Sequence, residues 1–340
     1  MVRRGQQQSI NVPGAAASPS RSGGAVPQAG RAIAVAGEAI VDFVLESSGR
    51  TTPHLGGGSF NAARTLGRLG LRPVFIGRVS SDRYGRALRG ALEESGVSLD
   101  GVIASDAPTT FARVEVDGDG AANCRLYIEG TSMAGLLPAE ARAAMPERAV
   151  ALHVGGLGLA VEPQASAIAT LVRDAGPETL VLVDPNCRDG VVRRRTAHCD
   201  RLRDVMCLAD VVKASEEDFA YLDPGRTPHQ TARALLERGP AVVLLTNGSC
   251  DATVLTARYE GLIEAPFVDV VDTVGAGDAF GAAWLGGWVA DGLGRQDLGD
   301  FDAVVRTAEF ASVVAARTCE RAGAEPPRAA KVDAEWCLEW

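Results

Sequence analysis

The segment 271–280 contains the residues whose types and spacing point most clearly to chemistry. Its sequence, VDTVGAGDAF, places Gly275, Ala276 and Gly277 directly before Asp278 and an apolar run. Small residues let the backbone approach a ligand closely, and the first N–H groups of a helix are unpaired and partly positive. We therefore predict an anion hole for phosphoryl oxygens at residues 275–277, with Asp278 as the base that accepts a hydroxyl proton. The structural alternative is a glycine-rich turn capped by aspartate.

A second segment, 55–70, has the sequence LGGGSFNAARTLGRLG. Its apolar residues recur at helical spacing, which predicts a helix with Ser59 as its N-cap and Gly70 at its C-terminal end. The three glycines before it predict a flexible joint. Asn61, in the first turn, offers a donor and an acceptor to a polyol. The competing reading is a dinucleotide-binding loop, but its G-x-G-x-x-G spacing does not occur here.

These motifs resemble the two signatures of the ribokinase/PfkB carbohydrate kinase family, and the resemblance extends over residues 31–330. One signature pairs glycines with Asn61; the other, Asp-Thr-x-Gly-Ala-Gly-Asp, spans 272–278. The resemblance implies that Asp278 is the catalytic base and that a small β-sheet closes over the acceptor as a lid. It also implies that the sugar is contacted by Asp42, Gly57, Gly58 and Asn61.

The same resemblance assigns residues to the nucleotide and its ions. Ser215 and Asp218 stand where relatives carry an Asn-x-x-Glu motif that organises Mg²⁺ and phosphates. Asp272 resembles part of a monovalent cation site, which implies K⁺. The residues implied to contact ATP are Ser215, Thr246, Asn247 and Gly248 at the phosphates and Ser312 near adenine.

Two further segments, VDPNCR at 183–188 and VKAS at 212–215, look most like the fructokinase branch of the family. A guanidinium group at Arg188 is suited to orient the acceptor, and an ammonium group at Lys213 is suited to orient phosphates. The alternative is that both side chains are solvated at strand ends.

The chemistry that these residues predict is transfer of the γ-phosphoryl group of ATP, with Mg²⁺, to a sugar hydroxyl, with fructose as the first acceptor to test. Two alternatives stay open. One keeps the mechanism but takes a nucleoside or 2-keto-3-deoxygluconate as acceptor. The other is a non-catalytic sugar or nucleotide sensor, against which the intact Asp278 and its glycine turn count.

Such a site must be positioned by a sheet, and the sequence predicts one. Short runs that are apolar on both faces alternate with amphipathic stretches, which is typical of a mainly parallel sheet between two helical layers. The predicted fold is therefore a ribokinase-like three-layer α/β/α sandwich. Polar residues or glycine follow each run, where open α/β sheets bind ligands. Segments 43–55 and 109–128 do not fit the alternation and predict the small lid sheet.

Composition limits the other possibilities. The chain has 340 residues, 46% of them hydrophobic, and a net charge of -9, which argues against nucleic acid as a partner. No apolar run is long enough to cross a membrane and no signal peptide is recognisable, so a cytoplasmic location is expected. Residues 1–30 are predicted to be a disordered tail and 331–340 a C-terminal tail. Exposed edges of the lid sheet suggest a homodimer paired through the lid.

Overall fold

The computed structural model describes residues 32–45, 49–116, 122–187, 192, 194–248 and 251–336. Within this part of the chain, the largest element is a nine-stranded sheet in the order β13-β12-β11-β10-β9-β8-β1-β4-β5. Its strands are β1 (Ala32–Ala36), β4 (Val74–Ser80), β5 (Val102–Ser105), β8 (Ala149–Gly155), β9 (Leu180–Asp184), β10 (Val211–Ser215), β11 (Val242–Thr246), β12 (Ala252–Thr256) and β13 (Glu260–Ile263). All neighbouring pairs from β5 to β11 are parallel, and β12 is antiparallel to both of its neighbours.

Helices cover both faces of this sheet, as the apolar character of its strands requires. Alternate residues of β1 point to opposite cores: Val35 packs in one cluster, and Ala34 and Ala36 pack in the other. The first core is closed by α1 (Gly58–Arg68), α2 (Arg83–Glu94), α8 (Ala276–Ala290), α9 (Phe301–Cys319) and α10 (Ala329–Trp336). The second is closed by α3 (Pro138–Ala144), α4 (Gln164–Arg173), α5 (Arg195–Leu208), α6 (Glu216–Leu222) and α7 (Pro228–Leu236). The predicted three-layer α/β/α fold is confirmed.

A separate four-stranded sheet has the order β3-β2-β6-β7, with β2 (Ile40–Leu45), β3 (Thr51–Gly56), β6 (Phe111–Val116) and β7 (Ala122–Tyr127). The chain first enters it from β1 and leaves it after β3 into α1, and it returns to it after β5 to form β6 and β7. Strands β2 and β6 are parallel, and both outer pairs are antiparallel hairpins. The small sheet is therefore joined to the large one at the carboxyl end of β1, between β8 and β4.

Three predictions concerned where helices and terminal tails begin or end. Ser59 was expected to cap α1, which is wrong: the helix begins at Gly58, its N-cap is Gly57, and Ser59 lies inside the first turn. Gly70 follows the C-cap with φ of 87°, as expected for the residue that ends a helix. The predicted C-terminal tail, 331–340, begins inside α10, whereas the predicted tail 1–30 and residue Arg188 lie outside the described residues.

None of the described helices combines the length and apolar character needed to cross a bilayer.

Candidate active site

Asp278 lies in the first turn of α8 and is only 8% exposed. Its carboxylate accepts two side-chain amide hydrogen bonds: Asn61 donates to Oδ2 at 2.8 Å, and Asn186 donates to Oδ1 at 3.0 Å. Asn61 belongs to α1, and Asn186 follows β9, so elements distant in sequence fix the orientation of this carboxylate. The structure thus brings the predicted base and the predicted sugar ligand Asn61 into direct contact.

Asn186 was not predicted as a site residue. It has φ of 38°, a left-handed conformation in which asparagine is several-fold enriched among non-glycine residues. The signal in the sequence was the polar step Asp-Pro-Asn directly after an apolar run. This segment predicts a strand end that faces a ligand. It does not indicate that the Asn186 amide would donate to Asp278.

The N-terminus of α8 combines backbone dipoles with a buried cation. Gly275 is the N-cap with φ of 81°, and the Ala276 N–H donates a long hydrogen bond, 3.3 Å, to the Thr273 carbonyl. The Lys213 Nζ lies 2.9 Å from the position that a Cβ on Gly277 would take. A positive side chain therefore lies directly beside the predicted anion hole.

Lys213 is buried and forms an ion pair with Asp184 at 3.0 Å. Burial by itself lowers the pKa of Lys213, but the nearby carboxylates, with Asp184 foremost, outweigh it, so the pKa is raised. The ammonium group is consequently protonated at every physiological pH. Lys213 was predicted to contact nucleotide phosphates, and the structure places it beneath the α8 N-terminus rather than at the protein surface.

Glu38 is a buried carboxylate that the sequence analysis did not single out. It is 1% exposed and follows Gly37 in the connection from β1 to the small sheet. It accepts hydrogen bonds from the backbone N–H groups of Gly58 at 2.7 Å and Gly158 at 3.0 Å. Burial raises its pKa to about 7, with a further contribution from Asp278, while the backbone hydrogen bonds act in the opposite direction. No sequence pattern marks it, because a glutamate in a connection is ordinarily exposed.

Gly57 and Gly58, at the start of α1, leave room for neighbouring acidic residues, and the flexible joint predicted there stays a prediction. Gly57 has φ of 108°, and a Cβ there would lie 3.0 Å from the Glu38 carbonyl oxygen. A Cβ on Gly58 would lie 3.2 Å from both Glu38 Oε1 and Asp278 Oδ1. Gly58 therefore occupies the gap between two carboxylates. Both glycines were predicted to contact the sugar; Gly58 lines the cleft beside Asp278, and Gly57 lies against Glu38.

The predicted sugar ligand Asp42 is carried by β2 of the small sheet, paired across the hairpin with His54. A Cβ on Gly56 would lie 2.7 Å from Asp42 Oδ2, so the Asp42 carboxylate lies directly against Gly56. Asp42 is thus carried by the small sheet, whereas Asn61 and Asp278 belong to helices packed on the large sheet.

The predicted nucleotide residues lie at the ends of β10 and β11. Ser215 is in register with Thr246, and Asn247 and Gly248 follow, with Gly248 at φ of 55°. Ser215 caps α6 and donates its hydroxyl to Asp218 Oδ2 at 2.9 Å. The other oxygen, Asp218 Oδ1, accepts the N–H of Cys187 at 2.6 Å. Both oxygens of this predicted metal ligand thus have protein donors.

Ser312, predicted near adenine, lies in α9, and its hydroxyl donates to the Glu264 carbonyl at 3.4 Å. Asp272, predicted near a cation, joins two loops: Oδ1 accepts the Val274 N–H at 3.0 Å and Oδ2 accepts the Gly323 N–H at 2.8 Å. Among the described residues, no group of three or more His, Cys, Asp or Glu side chains is arranged to hold a metal ion.

The loop 323–326 after α9 is held against α1 and α8. Arg64, buried in α1, donates to the Ala324 carbonyl at 3.0 Å and pairs with Glu325 at 2.6 Å. Arg68 pairs with the other oxygen of Glu325 at 2.5 Å. A Cβ on Gly275 would lie 2.5 Å from the Ala324 Cβ. This loop therefore packs directly on the residue that begins α8.

A narrow cleft lies beside these groups. Its lining consists of Gly58, Ser59, His153, Gly155, Gly156, Asp184, Asn186 and Asp278. His153 is buried, both ring nitrogens have no hydrogen-bond partner in the described part of the chain, and burial lowers its pKa to about 4. The imidazole is therefore neutral, and the charges around the cleft are those of the carboxylates and Lys213.

Comparison with known proteins gives a consistent result. The model of the pfkB family carbohydrate kinases matches residues 31–330. A fructokinase of Rhizobium leguminosarum bv. trifolii is 30% identical over 262 residues, which cover 76% of this chain and 79% of that protein. The fructokinase of Xylella fastidiosa with bound ATP has a TM-score of 0.83 at 25% identity, covering 91% of this chain and 98% of that one. A double mutant of the Vibrio cholerae O395 fructokinase, in fructose, ADP and potassium ion bound form, has a TM-score of 0.78 at 25% identity, covering 92% and 99%.

Proposed function

Because this chain belongs to the pfkB family of carbohydrate kinases, we propose that it transfers the γ-phosphoryl group of ATP to a hydroxyl group of fructose. The membership confirms the predicted family and the predicted enzyme class, an ATP-dependent carbohydrate kinase. The observation that carries the proposal concerns Asp278, in the first turn of α8. Its carboxylate accepts hydrogen bonds from two side-chain amides, which fix its orientation. Fructose is proposed because fructokinases are similar to this chain in both sequence and fold.

Asp278 is the proposed base. A carboxylate has about four acceptor positions, of which the amides of Asn61 and Asn186 occupy two, so capacity remains for an acceptor hydroxyl. Phosphoryl transfer through a loose transition state depends more on positioning and charge stabilisation than on a strong base. A fixed carboxylate is therefore sufficient.

The phosphoryl oxygens are proposed to lie at the N-terminus of α8, where no side chain caps the helix and the backbone dipoles and Lys213 provide positive potential. Mg²⁺ is expected to accompany ATP and neutralise phosphate charge, and it is commonly bound through one or two carboxylates plus substrate phosphates. Asp184 fits this role better than the predicted Asp218, because its buried Oδ1 has no hydrogen-bond partner in the described part of the chain. Asp272 is proposed to support K⁺ near the α8 loop.

We propose that the small sheet acts as the lid of this site, bringing Asp42 to the sugar and excluding water. The proposed domain division keeps 31–330 as one kinase domain with a tail at 1–30, and α10, whose Val332 is buried in the first core, is added to that domain in place of a tail that begins at 331. Pairing of two lids into a homodimer, and a cytoplasmic location, stay predictions from the sequence.

The experiment that tests the function is ADP release from ATP and Mg²⁺ with fructose, other hexoses, ribose, 2-keto-3-deoxygluconate, adenosine, inosine and cytidine as acceptors. Turnover with fructose is expected, and Asp278→Asn is expected to abolish it while ATP binding is kept. Turnover with only a nucleoside or the keto-sugar acid would replace the substrate but keep the chemistry. ATP binding without turnover on any acceptor would favour the sensor alternative, and an active Asp278→Asn enzyme would overturn the mechanism.

A further inference from the structure

The buried Glu38 connects the places where the chain crosses between the two sheets. The chain leaves the large sheet after Ala36 and enters the small sheet at Ile40, so Glu38 lies within the first crossing. Its Oε1 accepts the N–H of Gly58 at 2.7 Å, at the point where the chain returns from β3 into α1. The Ser59 hydroxyl is 3.3 Å from both the Ala36 carbonyl and Glu38 Oε2. One carboxylate thus ties the outgoing and the returning crossing together.

The same carboxylate also binds a third segment, the loop after β8. Its Oε2 accepts the N–H of Gly158 at 3.0 Å. A Cβ on Gly156 would lie 2.6 Å from Oε1, and one on Gly158 would lie 3.4 Å from Oε2. Together with Gly57 and Gly58, these glycines surround Glu38 so closely that little space is left for movement. A carboxylate enclosed in this way has no access to solvent as a general base.

The contacts of Glu38 lead to Asp278 through α1. The N-cap of this helix, Gly57, has no side chain to cap the first turn, and Glu38 supplies the acceptor instead. One turn further along, Asn61 donates to Asp278 at 2.8 Å. Gly58 itself separates the two carboxylates, since its Cβ position is 3.2 Å from an oxygen of each. A change in the first turn of α1 would therefore displace Asn61, which donates a hydrogen bond to the proposed base.

We propose that Glu38 is a positioning residue for phosphoryl transfer: it fixes the roots of the small sheet and the first turn of α1, and thereby the amide that orients Asp278. The inference rests on the proposed function for its kinetic consequence. Its structural part concerns the hydrogen bonds of Gly58, Ser59 and Gly158 and can be measured without turnover.

The test uses the full chain and the isosteric change Glu38→Gln, which places an NH₂ group where one oxygen now accepts backbone N–H groups. The kcat is expected to fall at least tenfold, with the KM for ATP within about twofold of its original value. Amide hydrogen exchange measured by mass spectrometry is expected to accelerate in peptides covering 56–61 and 156–159. The matched control is Asp300→Asn, which alters a carboxylate that accepts the Ala303 N–H at the start of α9. That control is expected to change stability but leave kcat unaltered.

A folded Glu38→Gln protein with unchanged kcat and unchanged exchange in those two peptides would overturn the proposal. If the variant does not fold, Ser59→Ala removes one contact to the same carboxylate and is expected to give a smaller change of the same kind. Unaltered exchange and kcat in Ser59→Ala would then overturn the proposal. If the original protein phosphorylates no acceptor, the proposed function fails. The exchange data alone then decide whether Glu38 fixes the crossings.

Discussion

The two ends of α8 offer a test of how closely the anion hole is packed. Gly275, the N-cap, has φ of 81°, and a Cβ there would lie 2.5 Å from the Ala324 Cβ and 3.1 Å from its Cα. Gly292, just beyond the other end, has φ of 77°, and a Cβ there would meet nothing within 4 Å. The two glycines therefore share a left-handed backbone but differ in the space around them. Alanine at each position separates the cost of conformation from the cost of crowding.

Gly292→Ala is expected to lower the free energy of unfolding by about 1–2 kcal/mol, the cost of a left-handed conformation for a residue with a Cβ. Gly275→Ala has the same cost plus about 1–3 kcal/mol for overpacking, because the neighbouring atom belongs to a short side chain close to its backbone. Relief of a 2.5 Å contact requires a shift approaching 1 Å in either the α8 N-terminus or the loop 323–326. A misplacement of that size near reacting groups costs on the order of 100-fold in rate.

The assay is steady-state ADP release with the acceptor found in the substrate panel, combined with urea unfolding of each variant. We expect Gly275→Ala to lose about 100-fold in kcat and Gly292→Ala to keep the original kcat. The stability measurement shows whether the lost activity comes from a folded enzyme. A Gly275→Ala kcat within about threefold of that of Gly292→Ala would refute the close packing inferred at the anion hole.

Three further outcomes are expected. Asn186→Ala should lower kcat by about 10- to 100-fold with ATP affinity unchanged, because one hydrogen bond to the charged Asp278 contributes about 1.5–3 kcal/mol; equal kcat in rapid-quench single turnovers would contradict this. The pKa of Glu38 is raised from 4.5 to about 7, so its stabilising contribution is complete below pH 4.5 and lost as pH rises through 7. Measured by urea unfolding, the free energy of unfolding of the original protein relative to that of Glu38→Gln should decline by up to about 3 kcal/mol between pH 4.5 and pH 8. A difference that does not change with pH would exclude this titration. Glu325→Gln should lower stability by about 1 kcal/mol, because it leaves the buried guanidinium of Arg64 without its anion; an unchanged urea midpoint would argue against that ion pair.

The sequence was sufficient for the fold and for two of the residues that meet at the candidate site, Asp278 and Asn61. The strands were predictable because a parallel sheet covered on both faces requires continuous apolar runs: β9 is apolar up to its last residue, Asp184, and β8 is apolar except for His153. Asp278 and Asn61 were predictable because each lies in a short glycine-rich motif. Their direct hydrogen bond, across 217 residues of sequence, required the packing of α1 on α8.

The features that the sequence did not predict depend on contacts between distant segments. Ser59 has the residue type of an N-cap, but the first α1 amides donate to Glu38, which lies 21 residues before Ser59, and the helix begins two residues earlier than expected. Glu38 was missed because its burial arises from three segments that converge only in the folded chain. The role of Asn186 depends on a backbone conformation, φ of 38°, that residue type alone does not specify.

The loop 323–326 also has a consequence for biosynthesis. The ribosome releases α1 and α8 before this loop, yet Gly275 at the start of α8 packs against Ala324, and Arg64 of α1 pairs with Glu325. A nascent chain that ends shortly after α9 therefore contains every residue proposed for phosphoryl transfer but lacks the segment that holds the anion hole against α1. Turnover should begin only once the final part of the chain has emerged, and prematurely terminated chains that retain α9 should be inactive.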